Sequence, residues 1–122
     1  MPEGPHGGID LVARQDDLCE RFGVRPVPSP ARLKVGVGRT VGSGRLPLNG
    51  LRHPPAGDTT GWYIWAGPDL PGDATFFRAV HVEHLSDICP EALPYLSLPP
   101  GWRFLLAPGQ EDVWEDRTLL DE

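Results

Sequence analysis

Gly61-Trp-Tyr-Ile-Trp-Ala66, closed by Gly67-Pro68, sets the fold class. Aromatic and β-branched side chains fit a pleated surface, and a Gly-Pro pair forces the chain to turn, so this run is the clearest strand in the sequence. Downstream, Phe76 to Val82 is a second apolar run, expected to pair with the first across the loop of residues 67–73. Further on, Trp102, Phe104 and Leu106 alternate with Arg103, Leu105 and Ala107, the period of a strand with two unlike faces. Pro108-Gly109 then signals a turn. A return strand from Asp112 to Glu115 would complete a hairpin whose loop is about four residues long.

Upstream, Leu33, Val35 and Val37 alternate with Lys34 and glycines as a half-buried strand does, and Gly36 and Gly38 mark a bulge or a close approach by another segment. Residues 42–60 read mostly as loop, with only Leu46, Leu48 and Leu51 to anchor them, and a loop of that length suggests a functional role. Helical spacing appears in Asp10 to Phe22, where Leu11, Val12, Leu18, Cys19 and Phe22 recur at three, four and seven, with Asp10 as N-cap and Gly23 as stop. Pro26, Pro28 and Pro30 then impose an extended linker. From His81 to Ile88 the pattern is helical again, and Pro90 opens a short helix through Tyr95 and Leu96 that Pro99-Pro100-Gly101 ends. No βαβ repeat occurs. The expected fold is therefore α+β, a single domain with a mainly antiparallel sheet and two or three helices packed on it. Within that one compact unit, residues 1–30 are the N-terminal helix and Pro-rich linker and residues 31–122 the α+β domain proper, with Met1 to Gly8 a loose end.

At 122 residues there is room for one core, and 39% apolar with 23% charged residues is a globular balance. Fifteen glycines and fifteen prolines fall mostly between the apolar runs, as turns do. No stretch is long and apolar enough to cross a bilayer and the N-terminus has no signal-peptide pattern, so a cytoplasmic location is expected. Cys19 and Cys89 are then buried, reduced thiols and not a disulfide. The net charge of −6 conceals an asymmetry: residues 1–61 carry eight basic and six acidic side chains, residues 62–122 three and eleven. That acidic second half disfavours nucleic acid and makes a basic protein the easier partner, although on charge alone the preferred reading is that the acids simply keep the protein soluble.

Catalytic signatures fail one by one. Gly36, Gly38, Gly42 and Gly44 match neither phosphate-binding glycine pattern, and no lysine follows them. His81 and His84 would share a helix face, and His81-Val-Glu83 imitates half of a zinc deaminase signature, but the P-C-x-x-C half is absent: Cys89 is followed only by Pro90. Imidazoles at a helix start, hydrogen-bonded to nearby backbone or carboxylates, are the preferred reading of these histidines. No G-x-S-x-G elbow surrounds Ser29, Ser43, Ser86 or Ser97. No catalytic residue, metal ligand or cofactor is assigned. The most partner-like segment is Glu111-Asp-Val-Trp-Glu-Asp116, in which Glu111, Asp112, Glu115 and Asp116 surround the indole of Trp114. Carboxylates attract a cationic surface and an indole anchors a contact, although strand alternation sets Val113 and Glu115 opposite Asp112 and Trp114. A core tryptophan with a solvated acidic rim is the alternative.

The run Leu98-Pro-Pro-Gly-Trp-Arg-Phe-Leu-Leu-Ala-Pro-Gly-Gln-Glu-Asp-Val-Trp114, preceded by Gly61-Trp-Tyr-Ile-Trp-Ala-Gly67 and His81-Val-Glu-His-Leu85, resembles the immunity protein 33 family over roughly residues 32–120. The resemblance implies an α+β immunity protein of bacterial polymorphic toxin systems, which binds and neutralises a cognate toxin and is not an enzyme. It carries over no contact residues, so the toxin-binding candidates Glu111, Asp112, Trp114, Glu115 and Asp116 rest on their chemistry alone, with the loop Gly42 to Thr60 as a further candidate. Two other classes stay open: a small metal-dependent or hydrolytic enzyme built on His53, His81, Glu83 and His84, and a protein-binding module with no immunity role.

Overall fold

A computed structural model describes residues 7–70, 72–73 and 75–120. In chain order the elements are α1 (Gly7–Arg21), β1 (Lys34–Gly38), β2 (Leu48–Arg52), β3 (Thr59–Ala66), β4 (Phe77–His81), a 3-10 turn (Val82–His84), α2 (Leu85–Ile88), a 3-10 helix (Pro90–Tyr95), β5 (Trp102–Ala107), β6 (Gln110–Glu115) and a 3-10 turn (Arg117–Leu120). The strands form one sheet in the order β4-β1-β3-β2-β5-β6. Every pairing is antiparallel except β1 with β3. The chain is a single α+β domain, as its sequence implies.

Three local expectations need correction. The run Phe76 to Val82 does not pair with β3; β1 lies between them, and β4 pairs with β1 from Lys34↔His81 to Gly38↔Phe77. Two consecutive apolar runs invite a hairpin, but a long enough loop lets the chain step over one strand. Second, the stretch read as loop contains β2, which occupies the middle of the sheet between β3 and β5. Leu48-Asn-Gly-Leu-Arg52 lacks apolar alternation because Gly50 and Arg52 take buried positions where bulk hydrophobics are usual. Gly50 is needed there. A Cβ on it would lie 2.2 Å from Phe104 Cε2, since the Phe104 ring fills the space across the pair Gly50↔Phe104. Third, the β5–β6 turn is two residues long and not about four: Ala107 pairs with Gln110, and Gly109 supplies the positive φ of 71° that so tight a turn requires.

The N-terminal helix starts at Gly7, which makes Gly7 and Gly8 helical and moves Asp10 from the N-cap into the first turn, where a negative charge favours the helix dipole. Residues 1–6 of the expected loose end lie outside the described residues. The buried face runs through Leu18 and Cys19, with Leu11, Gln15 and Phe22 half-buried, while Val12 is turned to solvent. Gln15 earns that position by donating from Nε2 to the Leu93 carbonyl (2.8 Å) and accepting from Ser97 Oγ (3.3 Å). Gly23, at φ 73°, ends the helical turn as expected.

Successive strand residues point to opposite faces. One face carries Val35, Val37, Trp62, Ile64 and Phe104, and the helical segments cover it through Leu18, Cys19, Leu85, Ala92, Tyr95 and Leu96. This is the main core. The other face holds a smaller cluster of Leu51, Trp65, Phe76 and Leu119, with Phe77 packed against it. No described helix of eight or more residues packs there, so part of the sheet stays open to solvent.

Candidate functional site

The register of β6 on β5 sorts the sequence-derived candidates. Glu111, Val113 and Glu115 pair with Leu106, Phe104 and Trp102 on the helix side, and Asp112 and Trp114 pair with Leu105 and Arg103 on the open side. Glu111 is committed internally. Its two oxygens accept from Arg21 Nη1 and Nη2, each at 3.0 Å, and the Tyr95 hydroxyl also donates to it. The Arg21 hydrogen bonds, with the Tyr95 bond behind them, hold the Glu111 carboxyl below the usual range, while burial and the neighbouring carboxylate push the Tyr95 hydroxyl up. Glu111 therefore clamps β6 to α1 and the 3-10 helix.

Asp116 is committed too. It accepts from the Thr118 hydroxyl and amide and pairs with Arg103 (3.1 Å); the hydroxyl foremost, then Arg103 and the amide, hold its carboxyl below the usual range. Those bonds start the final 3-10 turn. Asp112, Trp114 and Glu115 are exposed, and the Arg103 guanidinium lies 5.3 Å from the centroid of the Trp114 ring. Glu111→Ala is accordingly expected to lower stability by about 1 kcal/mol, a screened, partly exposed pair plus one hydrogen bond. Because the folded pKa is depressed, that contribution is present above the unfolded carboxylate value and is lost as pH falls through the folded one. Urea unfolding at neutral and acid pH measures both.

The structure brings His81 and His84 together, with ring centroids 5.9 Å apart and the planes edge to face. Neither ring caps the helical segment it precedes, so they pack on each other where bonds to the backbone were expected. Glu83 beside them is exposed. His53 sits elsewhere: its Nδ1 is 3.1 Å from the Leu119 carbonyl and its ring meets Tyr63 edge-on. Among the described residues no three His, Cys, Asp or Glu side chains are placed to hold a metal ion. Of the four clustered glycines, Gly36 and Gly38 are overlaid by the rings of Tyr63 and Phe76, so they form no anion cradle.

Cys19 and Cys89 are buried and unbridged. Burial first, then the Glu91 carboxylate, push the Cys89 thiol up to about 11. A thiol whose folded pKa is raised stabilises the fold below its unfolded pKa, and that stability is lost as pH rises from about 9 through about 11. Cys89 is expected to contribute about 2 kcal/mol of loss across that window, read as the difference between the wild type and Cys89→Ala. Denaturant titrations at stepped alkaline pH read it directly.

Sequence reasoning missed the open face. There Tyr63 stands 38% exposed and Leu70 51% exposed, with half-buried Phe77 between them. His53, Tyr63 and Phe77 form an edge-to-face row with centroid spacings of 5.7 and 5.2 Å. Leu51, His53, Tyr63, Leu70 and Phe77 line one cleft, and Lys34, Gly36, Thr59, Tyr63, Phe77 and Ala79 contribute to a second beside it. The signal was the alternation in Gly61 to Ala66, which assigns Trp62 and Ile64 to one face and Tyr63 and Trp65 to the other. Exposed aromatics in a cleft are the kind of group that anchors protein contacts.

No curated protein and no solved structure matches the chain. The pattern of the Imm33-like domain matches residues 14–116, from within α1 to the end of β6, and so takes in the whole sheet. The chain belongs to the Imm33-like domain family.

Proposed function

We propose that this protein is an immunity protein that binds a cognate bacterial toxin one-to-one and neutralises it. The observation that carries this reading is the family match across residues 14–116, nearly the whole chain. A stoichiometric inhibitor acts by covering or distorting its target, so it needs a stable surface and no catalytic constellation. The exposed aromatic row supplies anchoring groups of the kind that dominate protein interfaces. The net charge of −6, concentrated in residues 62–122, speeds encounter with a basic toxin and repels nucleic acid and anionic membrane surfaces. No described helix is long and apolar enough to cross a membrane. The protein acts in the cytoplasm in this reading, where a sibling's toxin would reach its target.

The test is co-expression with the toxin domain encoded beside this gene in a sensitive bacterium, followed by pull-down. Protection together with a one-to-one complex is the expected result. Survival without a complex, or a complex without survival, rules the reading out for that pair.

A further inference from the structure

The sheet has two free edges of opposite character. On the β6 edge, Glu111, Asp112 and Glu115 are followed directly by Asp116, and charged residues on an edge strand discourage pairing with another chain. The β4 edge carries a single formal charge, Arg78, and no acid: Phe-Arg-Ala-Val-His pairs regularly with β1 over five residues, without bulge or proline.

The ladder shows which amides of β4 face outward. Val82 N–H donates to the Leu33 carbonyl (2.8 Å) and Arg39 N–H to the Phe76 carbonyl (3.1 Å), two pairs that continue the β1–β4 register beyond each end. Hydrogen-bonded pairs alternate in an antiparallel ladder, so Arg78 and Val80 direct their backbone groups to β1. Phe77, Ala79 and His81 direct theirs away from the sheet, and no described strand pairs with them.

Beside that edge lies a groove made by absent side chains. Ala79 pairs with Gly36, and the Tyr63 ring lies so close over Gly36 that a Cβ there would be 2.6 Å from Tyr63 Cδ2. Ala79 thus forms a low floor, walled by the Tyr63 ring that covers Gly36 and by Phe77 and Lys34. On the opposite side of β4, Arg78 is exposed with no carboxylate in ion-pair distance among the described residues, and His84 and Asp87 line the same cleft.

We propose that β4 is the docking edge for the toxin, which adds an extended segment to it as a seventh strand. This site rests on the immunity reading. The segment bonds the outward N–H and C=O groups of Phe77, Ala79 and His81. The residue opposite Ala79 is large and apolar and lies over Ala79 toward the Tyr63 ring, and a residue next to it carries a carboxylate toward Arg78. A second copy fits less well: pairing β4 with β4 about Ala79 sets two Arg78 side chains diagonally across one face, and pairing β4 with the acidic β6 of the next copy never closes.

Ala79→Pro tests this, because the N–H it removes points away from β1 and edge strands tolerate proline in that orientation. The probe is the toxin domain encoded beside this gene. Wild type should bind it, and A79P should keep its thermal unfolding midpoint but bind about tenfold to a hundredfold more weakly by calorimetry, with protection of cells lost accordingly. Hydrogen exchange on wild type supplies a measurement independent of the variant's folding: the amides of Phe77, Ala79 and His81 should slow on toxin binding while those of β6 do not. Unchanged exchange at these three amides, or full A79P affinity with loss in Trp114→Ala, overturns the β4 site while leaving immunity intact. A wild type that binds no toxin overturns the immunity reading and this site with it. Concentration-dependent oligomers of the chain alone that A79P abolishes assign the edge to a second copy and also overturn it.

Discussion

Arg52→Ala is expected to lower the unfolding free energy by about 3–5 kcal/mol, the scale of truncating a large buried side chain together with its hydrogen bonds. Arg52 ends β2 and is 1% exposed, yet no carboxylate pairs with it among the described residues. Backbone carbonyls take the place of a counter-ion. Nε donates to Thr60 (2.9 Å), Nη1 to Val27 (2.6 Å) and Leu98 (2.8 Å), with longer bonds from Nη1 to Leu96 and from Nη2 to Pro28, both 3.4 Å. The guanidinium also lies 5.8 Å from the centroid of the Trp62 ring.

Burial pulls the Arg52 pKa down to about 10, which still leaves the side chain charged at neutral pH. One side chain thereby ties the Pro-rich linker, β3 and the segment after the 3-10 helix into a single unit. Alanine takes this donor from the Thr60, Val27, Pro28 and Leu98 carbonyls, while Leu96 keeps the Ser29 hydroxyl and the Trp62 indole N–H, and it adds a void; an acceptor left orphaned costs about 1–3 kcal/mol before relaxation. Lysine restores charge but offers three donors from one point, so it cannot span acceptors on three segments and should recover less than half of the loss. Urea unfolding of Arg52→Ala, Arg52→Lys and Arg52→Met separates the hydrogen bonds from the packed volume. An Arg52→Met variant as stable as wild type would show that volume alone matters.

Gly61→Ala should cost about 3 kcal/mol, the sum of a left-handed backbone penalty and an overpacking penalty. Gly61 has φ 92°, and a Cβ on it would lie 1.9 Å from the His53 carbonyl oxygen. That neighbour is backbone, held by the bond from His53 N–H to the Gly61 carbonyl (2.9 Å), so it cannot swing aside. Gly36→Ala makes the contrast. Its added Cβ meets the Tyr63 ring at 2.6 Å, and a half-exposed side chain can rotate away, so a loss of about 1 kcal/mol is expected. Comparing the two unfolding midpoints tests whether backbone or side-chain crowding governs these strands. Similar losses at both positions would contradict the distinction.

Apolar patterning makes β1, β3, β4 and β5 legible in the sequence, helped by the Gly-Pro turn after β3 and by Gly101 and Pro108 on either side of β5. α1 is legible for the equivalent reason at helical period, with Gly23 as its stop. The motifs around Gly61 to Gly67, His81 to Leu85 and Leu98 to Trp114 carry the family resemblance with no structure at all. Strand order is different. It depends on which nonadjacent segments meet, and nothing local in Phe76 to Val82 says that β1 will lie between it and β3.

β2 escaped for the same kind of reason. Gly50 is invisible as a strand residue until Phe104 is seen to fill its space, and Arg52 looks like a surface charge until carbonyls from three segments converge on it. Among the candidate contacts, the sequence shows a run of acids from Glu111 to Asp116, but only the hydrogen bonds of the folded chain reveal Glu111 as a clamp and Asp116 as a cap. The sequence by itself therefore determined the class of fold, the placement of most elements and the family, all of which follow from local periodicity and motif. Only the tertiary structure decided which edge of the sheet is guarded and which is open, and which charges are bound internally, because those properties belong to pairs of segments far apart in the chain.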